Sequence, residues 1–212
     1  NKMSSNNYEK LKNEITILLK NMNDDDLSLN EVNKVIFHIV CKQKMNVSIF
    51  AKLYSHLIEE FPLLKNMCLQ YCDNYIDMFN NINVCDPNKD YEGFCKNNIE
   101  NEKRKNISLF YVELVKNSIL SIDYIIELIF SLNKILLEKG IENGDYVDLC
   151  IEVADNIVIL VCNSLSILKE TNSWDEILRS IENVRNIDKN VYKNITSRLI
   201  FKYMDILDKI KK

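Results

Sequence analysis

The chain has 212 residues, of which 47% are hydrophobic and 27% charged, with three glycines and two prolines. This composition predicts one soluble globular domain over residues 1–212 and excludes a fibrous or disordered chain. A formal net charge of -4 excludes a protein held to nucleic acid mainly by its overall electrostatic field.

Apolar residues at helical spacing predict four helices in the N-terminal part of the chain. Their apolar positions are Leu11, Ile15, Leu18 and Met22; Val32, Val35, Ile36, Ile39 and Val40; Phe50, Leu53, Leu57, Ile58 and Phe61; and Leu64, Met67, Cys68, Tyr71, Tyr75, Met78 and Phe79. Ser28 and Glu31 predict a capping box at the start of the second helix. From about 80 to 101, Asn, Asp, Pro87 and Gly93 cluster, which predicts an irregular linker.

Five further helices follow in the C-terminal part of the chain. Their apolar positions are Ile107, Phe110, Tyr111, Leu114 and Val115; Ile122, Ile125, Ile126, Ile129, Leu132 and Leu136; Tyr146, Leu149, Cys150, Val153, Ile157 and Val161; Trp174, Ile177, Leu178, Ile181 and Val184; and Val191, Ile195, Leu199, Tyr203, Ile206 and Ile210. Gly140 predicts the end of the sixth helix, and Ser173 with Glu176 predicts a capping box for the eighth. The densest apolar run, Ile157 to Cys162, is too short to span a bilayer, so we expect no membrane segment.

Nine predicted helices joined mostly by short loops define an all-α fold class. Antiparallel helix pairs of about 40 residues have the period of HEAT and armadillo repeats. We therefore expect a HEAT-like solenoid of about nine to ten helices with a crescent shape. Such stacks usually hold partners rather than perform reactions.

The seven cysteines are scattered along the chain, which argues against a disulfide framework and predicts a cytoplasmic or nuclear location. His38 and Cys41 share one face of the second helix, and Cys68 and Cys72 share one face of the fourth. These four residues could form a zinc site if the two faces meet. No CxxC or HExxH spacing supports it, so we expect buried free thiols and no metal. Neither a phosphate-binding glycine loop nor a nucleophile paired with histidine is present, so we expect no cofactor and no enzymatic activity.

Four segments of the chain share the order and spacing of a known pattern. They are Val35-Ile36-Phe37 followed by Phe50-Ala51-Lys52-Leu53; Leu69 to Cys72; Phe110 to Lys116 followed by Ile119-Leu120; and Thr196 to Asp208. Together they resemble the middle domain of translation initiation factor 4G, over nearly the whole chain. Gln43 and Lys44 replace the Glu-Pro pair of that family, so we expect a divergent member, such as a large DNA virus or a protist encodes.

The resemblance implies a scaffold without catalytic groups of its own. In that family the middle domain holds the two RecA-like lobes of a DEAD-box helicase, initiation factor 4A, one at each end of the crescent. Holding both lobes near their closed arrangement raises the population of the RNA- and ATP-competent state. We expect this helicase as partner. A cap-binding subunit would need segments outside this chain, because Tyr8 is followed by Asn13 and Glu14 where the cap-binding-protein motif has apolar residues.

The candidate helicase-binding residues lie at both ends of the expected crescent. They are Arg198, Lys202, Asp205 and Trp174 toward the C-terminal end, and Lys44 and Asn46 in the loop between the second and third helices. Phe201 belongs either to this surface or to the core. Trp174 is either an interface residue or a packed helix start, and the loop with Lys44 and Asn46 is either an interface or solvated.

The densest basic run, Lys103-Arg104-Lys105, precedes the apolar part of the fifth helix. Together with Lys96 it is a candidate for contact with RNA phosphates. The alternative is a solvated helix start. Because the chain is acidic overall, we expect any RNA contact to be weak and secondary.

Two other functions stay open from the sequence. The first is a paralogous domain of the same family, used in RNA decay, splicing or poly(A)-linked control. The second belongs to a different class: a compact helical bundle that captures an amphipathic helix in a groove.

Overall fold

The computed structural model describes residues 3–21, 26–42, 46–80, 82 and 85–212. Within these ranges the chain forms nine α-helices, one short 3-10 helix and no β-strand. The α-helices are α1 (Tyr8–Asn21), α2 (Asp26–Lys42), α3 (Val47–Glu60), α4 (Leu63–Asp73), α5 (Tyr91–Lys116), α6 (Ile122–Ile141), α7 (Val147–Leu168), α8 (Trp174–Arg185) and α9 (Ser197–Ile210). The predicted all-α class is confirmed.

The helices pack in the order of a helix-pair solenoid. Helices two apart in the chain lie against each other: α2 on α4, α3 on α5, α5 on α7, α6 on α8 and α7 on α9. Sequence neighbours α6 and α7, and α8 and α9, also pack together. α5 joins the N-terminal helices to the C-terminal helices, because it contacts α2 and α3 on the one hand and α7 on the other. The solenoid-like arrangement expected from the sequence is therefore confirmed.

The predicted irregular linker at about 80 to 101 is wrong in its second half, where α5 has already begun at Tyr91. The side chain of Asp90 caps this helix by accepting a hydrogen bond from the Gly93 N–H at 2.8 Å. An ion pair of 3.2 Å joins Lys96 and Glu92 one turn apart. A solvated helix start held by a cap and by such pairs lacks the apolar periodicity on which the prediction relied.

Other helix ends also differ from the prediction. Gly140 lies inside α6 rather than after it. A Cβ atom there would come within 2.6 Å of Ile195 Cδ1, so the glycine permits close packing instead of capping. α9 begins at Ser197, so Val191 and Ile195 precede it. Ile195 is nevertheless buried, which explains why it fitted an apolar pattern.

The two predicted capping boxes are not formed as expected. α2 begins at Asp26, ahead of Ser28. Ser173 is the residue that precedes α8, as predicted, but its side chain makes no capping hydrogen bond. Instead the carbonyl oxygen of Ser173 accepts from the Glu176 N–H at 3.1 Å.

Three buried tyrosine hydroxyls cross-link the stack by donating to asparagine side-chain oxygens. The pairs are Tyr54 with Asn33, Tyr75 with Asn156, and Tyr203 with Asn133. Burial raises the pKa of all three phenols, so each stays a protonated donor. Asn156 Oδ1 also accepts from the Ser108 hydroxyl at 2.9 Å. Buried hydrogen bonds of this kind fix how the neighbouring helices are aligned.

Replacing Tyr203 by phenylalanine is expected to lower the free energy of unfolding by about 1–2 kcal/mol, because Asn133 Oδ1 loses its buried donor. Urea unfolding followed by circular dichroism measures the change. The control is Tyr192→Phe, since Tyr192 is 37% exposed, and it should change stability by less than about 0.5 kcal/mol. Equal stability of the two variants would contradict the role given to the Tyr203 hydroxyl.

α7 is the one helix in the described ranges that is long and apolar enough, by length and composition, to cross a membrane. Half of its apolar window is buried inside the protein. There it packs against α5, α6 and α9. A helix that is apolar nearly all round is expected at the centre of a helical stack, so its position in the fold accounts for its composition.

Candidate functional site

The inner side of α9 is fixed in the core. The Thr196 hydroxyl caps the helix by accepting from the Leu199 N–H at 3.3 Å. Leu199, Tyr203 and Ile206 lie at i, i+4 and i+7 and are all fully buried. Because α7 and α8 both pack on this helix, the direction of its opposite face is determined.

That opposite face, here called the α9 face, includes Arg198, Phe201, Met204, Asp205 and Asp208, all of them exposed. Arg198, Phe201 and Asp205 lie at i, i+3 and i+7, so they form one row. Phe201 is 61% exposed and therefore belongs to the surface, not to the core. Exposed aromatic and arginine side chains side by side are typical of the centre of protein interfaces.

The loop that leads into α9 carries further exposed apolar side chains, which precede the N-terminal end of the helix. Val191 is 66% exposed, and Tyr192 is also exposed. The loop is held in place by the buried side chain of Asn194, whose amide donates to the carbonyl oxygens of Lys139 and Glu142 at 2.9 and 3.1 Å. Sequence reasoning missed Asn194, because a polar residue outside a helix leaves no periodic pattern.

Lys202, predicted as a helicase contact, does not lie on the α9 face. Its ammonium group is paired with the carboxylate of Asp155 on α7. Its side chain is only 20% exposed. Lys202 therefore joins α9 to α7, and this part of the predicted site is corrected.

The remaining helicase candidates are placed as follows. Trp174 is partly buried and packs against the core at the start of α8, in agreement with the packed-helix-start alternative. Asn46 directly precedes α3 and is partly buried. Lys44 lies outside the described residues. The C-terminal part of the predicted site therefore reduces to Arg198 and Asp205, with Phe201 between them.

Arg104, predicted to contact RNA, is buried inside the protein with 4% exposure. Its guanidinium donates to the Met78 carbonyl oxygen at 3.1 Å and to the Asn101 side chain. Its Nε lies 3.9 Å from Glu152 Oε1. A buried guanidinium cannot reach a phosphate, so the prediction for Arg104 is wrong.

Arg104 belongs to a set of charged side chains between α5, α7 and α9, called here the Glu152 cluster. Its members are Arg104, Lys105, Glu152, Asp155 and Lys202. Lys105 Nζ lies 3.7 Å from Glu152 Oε2 and 3.4 Å from Asp155 Oδ2. The Lys105 side chain is only 23% exposed and is paired with these carboxylates, which corrects its predicted role in RNA contact.

Burial governs the electrostatics of this cluster. It raises the pKa of Glu152, although Lys105 and Arg104 act in the opposite direction. Burial also lowers the pKa of Lys105, but the carboxylates of Glu152 and Asp155 outweigh it and the net shift is upward. The cluster links three helices, so its role is structural.

Lys96 and Lys103 are the remaining candidates for RNA contact. Lys96 has an exposed side chain and pairs with Glu92. Lys103 is partly exposed and lies 3.4 Å from Glu100. Each cation therefore has a carboxylate next to it on α5, which weakens its attraction for phosphate.

The cysteines and histidines of the sequence are possible zinc ligands. Cys68, Cys72 and Cys150 are buried, as predicted for packed thiols. Burial raises the pKa of Cys150 to about 11, so its thiol stays protonated and unreactive. Within the part of the chain that the structure describes, no group of three or more His, Cys, Asp or Glu side chains is placed to hold a metal ion.

No protein-family model matches the chain, and no curated protein gives a significant match to it. The resemblance to the middle domain of initiation factor 4G therefore stays a prediction from the four segments. A fold alone does not determine a function, which depends on the surfaces that the fold presents. The α9 face is the strongest of these at the C-terminal end of the stack.

Proposed function

We propose that the chain is a translation initiation scaffold that binds a DEAD-box RNA helicase of the initiation factor 4A type and stimulates it. The observation that carries the proposal is the α9 face, where Arg198, Phe201 and Asp205 stand exposed in one row on a helix whose other side is buried. The same helix carries the longest of the segments that resemble the factor 4G middle domain. An open face on a rigid helix favours binding rather than catalysis.

The α9 face has the chemistry of a binding hot spot. Phe201 offers a large apolar ring that loses its solvent exposure on docking, and Arg198 offers a planar group for a carboxylate. Asp205 adds a negative charge at the other end of the row, so the face can select the orientation of its partner. Binding to this face costs little conformational entropy, because the core already holds the backbone of α9 in place.

Stimulation requires contact with both lobes of the helicase. A scaffold shifts the open and closed helicase populations only by its different affinity for the two forms. The α9 face supplies one contact, and the region around Asn46 and Lys44 supplies the other in this proposal. The helicase performs all ATP chemistry, while Lys96 and Lys103 add weak RNA contact in the cytoplasm and segments outside this chain recruit any cap-binding subunit.

The test is the RNA-dependent ATPase rate of a purified initiation factor 4A helicase, with and without the chain. We expect the wild-type chain to stimulate the rate, and Arg198→Glu and Phe201→Ala each to weaken the complex by tenfold or more. The control is Lys134→Glu, which makes the same charge change at a 75% exposed side chain on α6. It should stimulate like the wild type.

Two results would contradict the proposal. One is the absence of both stimulation and co-elution with the helicase on a sizing column. The other is stimulation that neither Arg198→Glu nor Phe201→Ala reduces, with both variants folded by circular dichroism. Either result would favour a partner of the paralogous domains in RNA decay, splicing or poly(A)-linked control.

A further inference from the structure

A groove runs between α2, α4 and α5, and side chains of all three helices line it. The groove encloses about 890 Å³. The lining includes Asn30, Lys34 and His38 on α2, Met67 and Gln70 on α4, Asn74 directly after α4, and Ile99, Lys103 and Ile107 on α5. This surface is called here the α2–α5 groove, and it shares no residue with the α9 face.

The length of the α2–α5 groove suits a helix. Its lining on α5 extends from Ile99 to Tyr111, which is about 18 Å along the axis at 1.5 Å per residue. A helix of three turns is about 16 Å long. The groove therefore has room for three turns of a helix laid along it.

The lining of the groove includes apolar side chains that are open to solvent. Met67 and Ile107 line the groove together with Val35 and Ile99. Val35 is 53% exposed and Ile99 is 66% exposed, although both are large apolar side chains. Exposed apolar side chains that converge on a concave surface mark a binding site, and methionine adapts to irregular partners.

The rim of the groove carries more lysines than carboxylates, whereas the chain as a whole is negative. Lys34, Lys42 and Lys103 contribute cations, and Glu100 is the one carboxylate among the described lining residues. The net charge of the chain is -4, so this excess of lysines is local. Lys34 Nζ lies 2.7 Å from Glu31 Oε1 and Lys103 Nζ lies 3.4 Å from Glu100 Oε2, but exposed pairs of this kind are weak and can be exchanged for a partner's carboxylates.

We infer that the α2–α5 groove binds an acidic amphipathic helix of a partner protein. Three turns of that helix place apolar side chains on Val35, Met67 and Ile99, and aspartate or glutamate residues beside the rim lysines. A basic helix is repelled by the same rim. The inference does not depend on the helicase contact at the α9 face, because it uses a different surface; Lys103 is the one residue that the groove shares with the proposed weak RNA contact.

RNA fits this groove less well than an acidic helix. Single-stranded RNA is held by stacking on exposed aromatic rings between phosphate-binding cations. Tyr75 and Tyr111 border the groove, but each is only 1% exposed. None of the described lining residues is an exposed Phe, Tyr or Trp, and the exposed apolar side chains of Val35 and Ile99 favour a peptide.

The test is selection of phage-displayed helical peptides, about four turns long, against the full chain. Apolar positions at helical spacing vary among Leu, Ile, Met and Phe, and the flanking positions vary among Asp, Glu, Lys, Arg and Gln. We expect the enriched peptides to be acidic at the flanks. Fluorescence anisotropy of the best peptide should show binding that Ile99→Glu weakens at least tenfold.

A matched control is available for this substitution. Ile141→Glu makes the same change at a 57% exposed isoleucine outside the groove, and it should leave peptide binding unchanged. Lys42→Glu with Lys103→Glu should reduce the preference for acidic flanks. Since these side chains are exposed or partly exposed, the variants should keep the wild-type circular dichroism spectrum.

Several results would overturn the inference. They are a selection that enriches no peptide, enrichment of basic flanks, and equal peptide affinity of Ile99→Glu and the wild type. Labelled poly(U) RNA that binds in a manner dependent on Lys103, in the absence of any enriched peptide, would assign the groove to RNA instead. Loss of peptide binding by Ile99→Glu without loss of helicase stimulation would separate the two proposals.

Discussion

Replacing Arg104 by methionine is expected to lower the free energy of unfolding by about 3–5 kcal/mol at neutral pH. Arg104 and Glu152 each have side chains that are only 5% exposed. Methionine fills most of the volume of the arginine stem but removes the cation next to the Glu152 carboxylate. It also removes the donors to the Met78 carbonyl oxygen and the Asn101 side chain. The main cost is that the Glu152 carboxylate stays buried with one cation fewer beside it.

Urea unfolding at neutral pH measures this loss, and a second substitution identifies its cause. Glu152→Gln in the Arg104→Met background removes the buried negative charge and should recover about 2 kcal/mol or more. The exposed pair of Lys96 and Glu92 provides the control, because Lys96→Met should cost less than about 0.5 kcal/mol. No recovery in the double variant would show that packing, and not charge, accounts for the loss.

The same variant should respond to pH in a defined direction. Burial raises the pKa of Glu152, so the native state keeps this proton to a higher pH than the unfolded chain does. Stability from this group therefore falls as pH rises above the ordinary glutamate pKa. Without Arg104 the pKa of Glu152 rises further, so the deficit of Arg104→Met should be smaller at about pH 5 than at about pH 7. A deficit that is equal at both pH values would contradict this account.

The position of Arg104 shows why part of the site could not be predicted from the sequence. Three consecutive basic residues are typical of a solvated surface, and Glu152 lies far away in the chain on α7. A pattern did exist, since Arg104, Ile107 and Tyr111 lie at i, i+3 and i+7 on one buried side of α5. The prediction followed the charge of the arginine, which is typical of a surface residue, and not this spacing, which indicates a buried one.

The helices that could be predicted are those with a buried apolar row. α2, α3, α6, α7 and α8 all have one, and their periodicity was enough. The first half of α5 has no such row, so local capping and ion pairs define it without any apolar pattern. Phe201 was ambiguous because Leu199, Ile200 and Phe201 are consecutive apolar residues. Only the packing of α7 and α8 on α9 decides which of them faces solvent.

Replacing Phe110 by alanine is expected to lower the free energy of unfolding by about 3–5 kcal/mol. Phe110 is completely buried on α5. Its ring lies 5.4 Å from that of Phe37 on α2 and 6.4 Å from that of Tyr54 on α3, edge to face in both cases. The substitution leaves a cavity where three helices meet and also removes the two aromatic contacts. Urea unfolding gives the magnitude, with Phe201→Ala as the control at an exposed phenylalanine, expected below about 0.5 kcal/mol.

The site of the damage tests the solenoid-like organisation itself. In a stack where each helix pair contacts mainly its neighbours, the loss of one interface is felt first by the elements that share it. Amide hydrogen exchange of Phe110→Ala should therefore lose protection in α2 and α3, while α8 and α9 keep more of theirs. Equal loss of protection in all helices would mean that the chain opens as one cooperative unit. The α9 face and the α2–α5 groove would then depend on the same global stability, instead of being supported by separate parts of the stack.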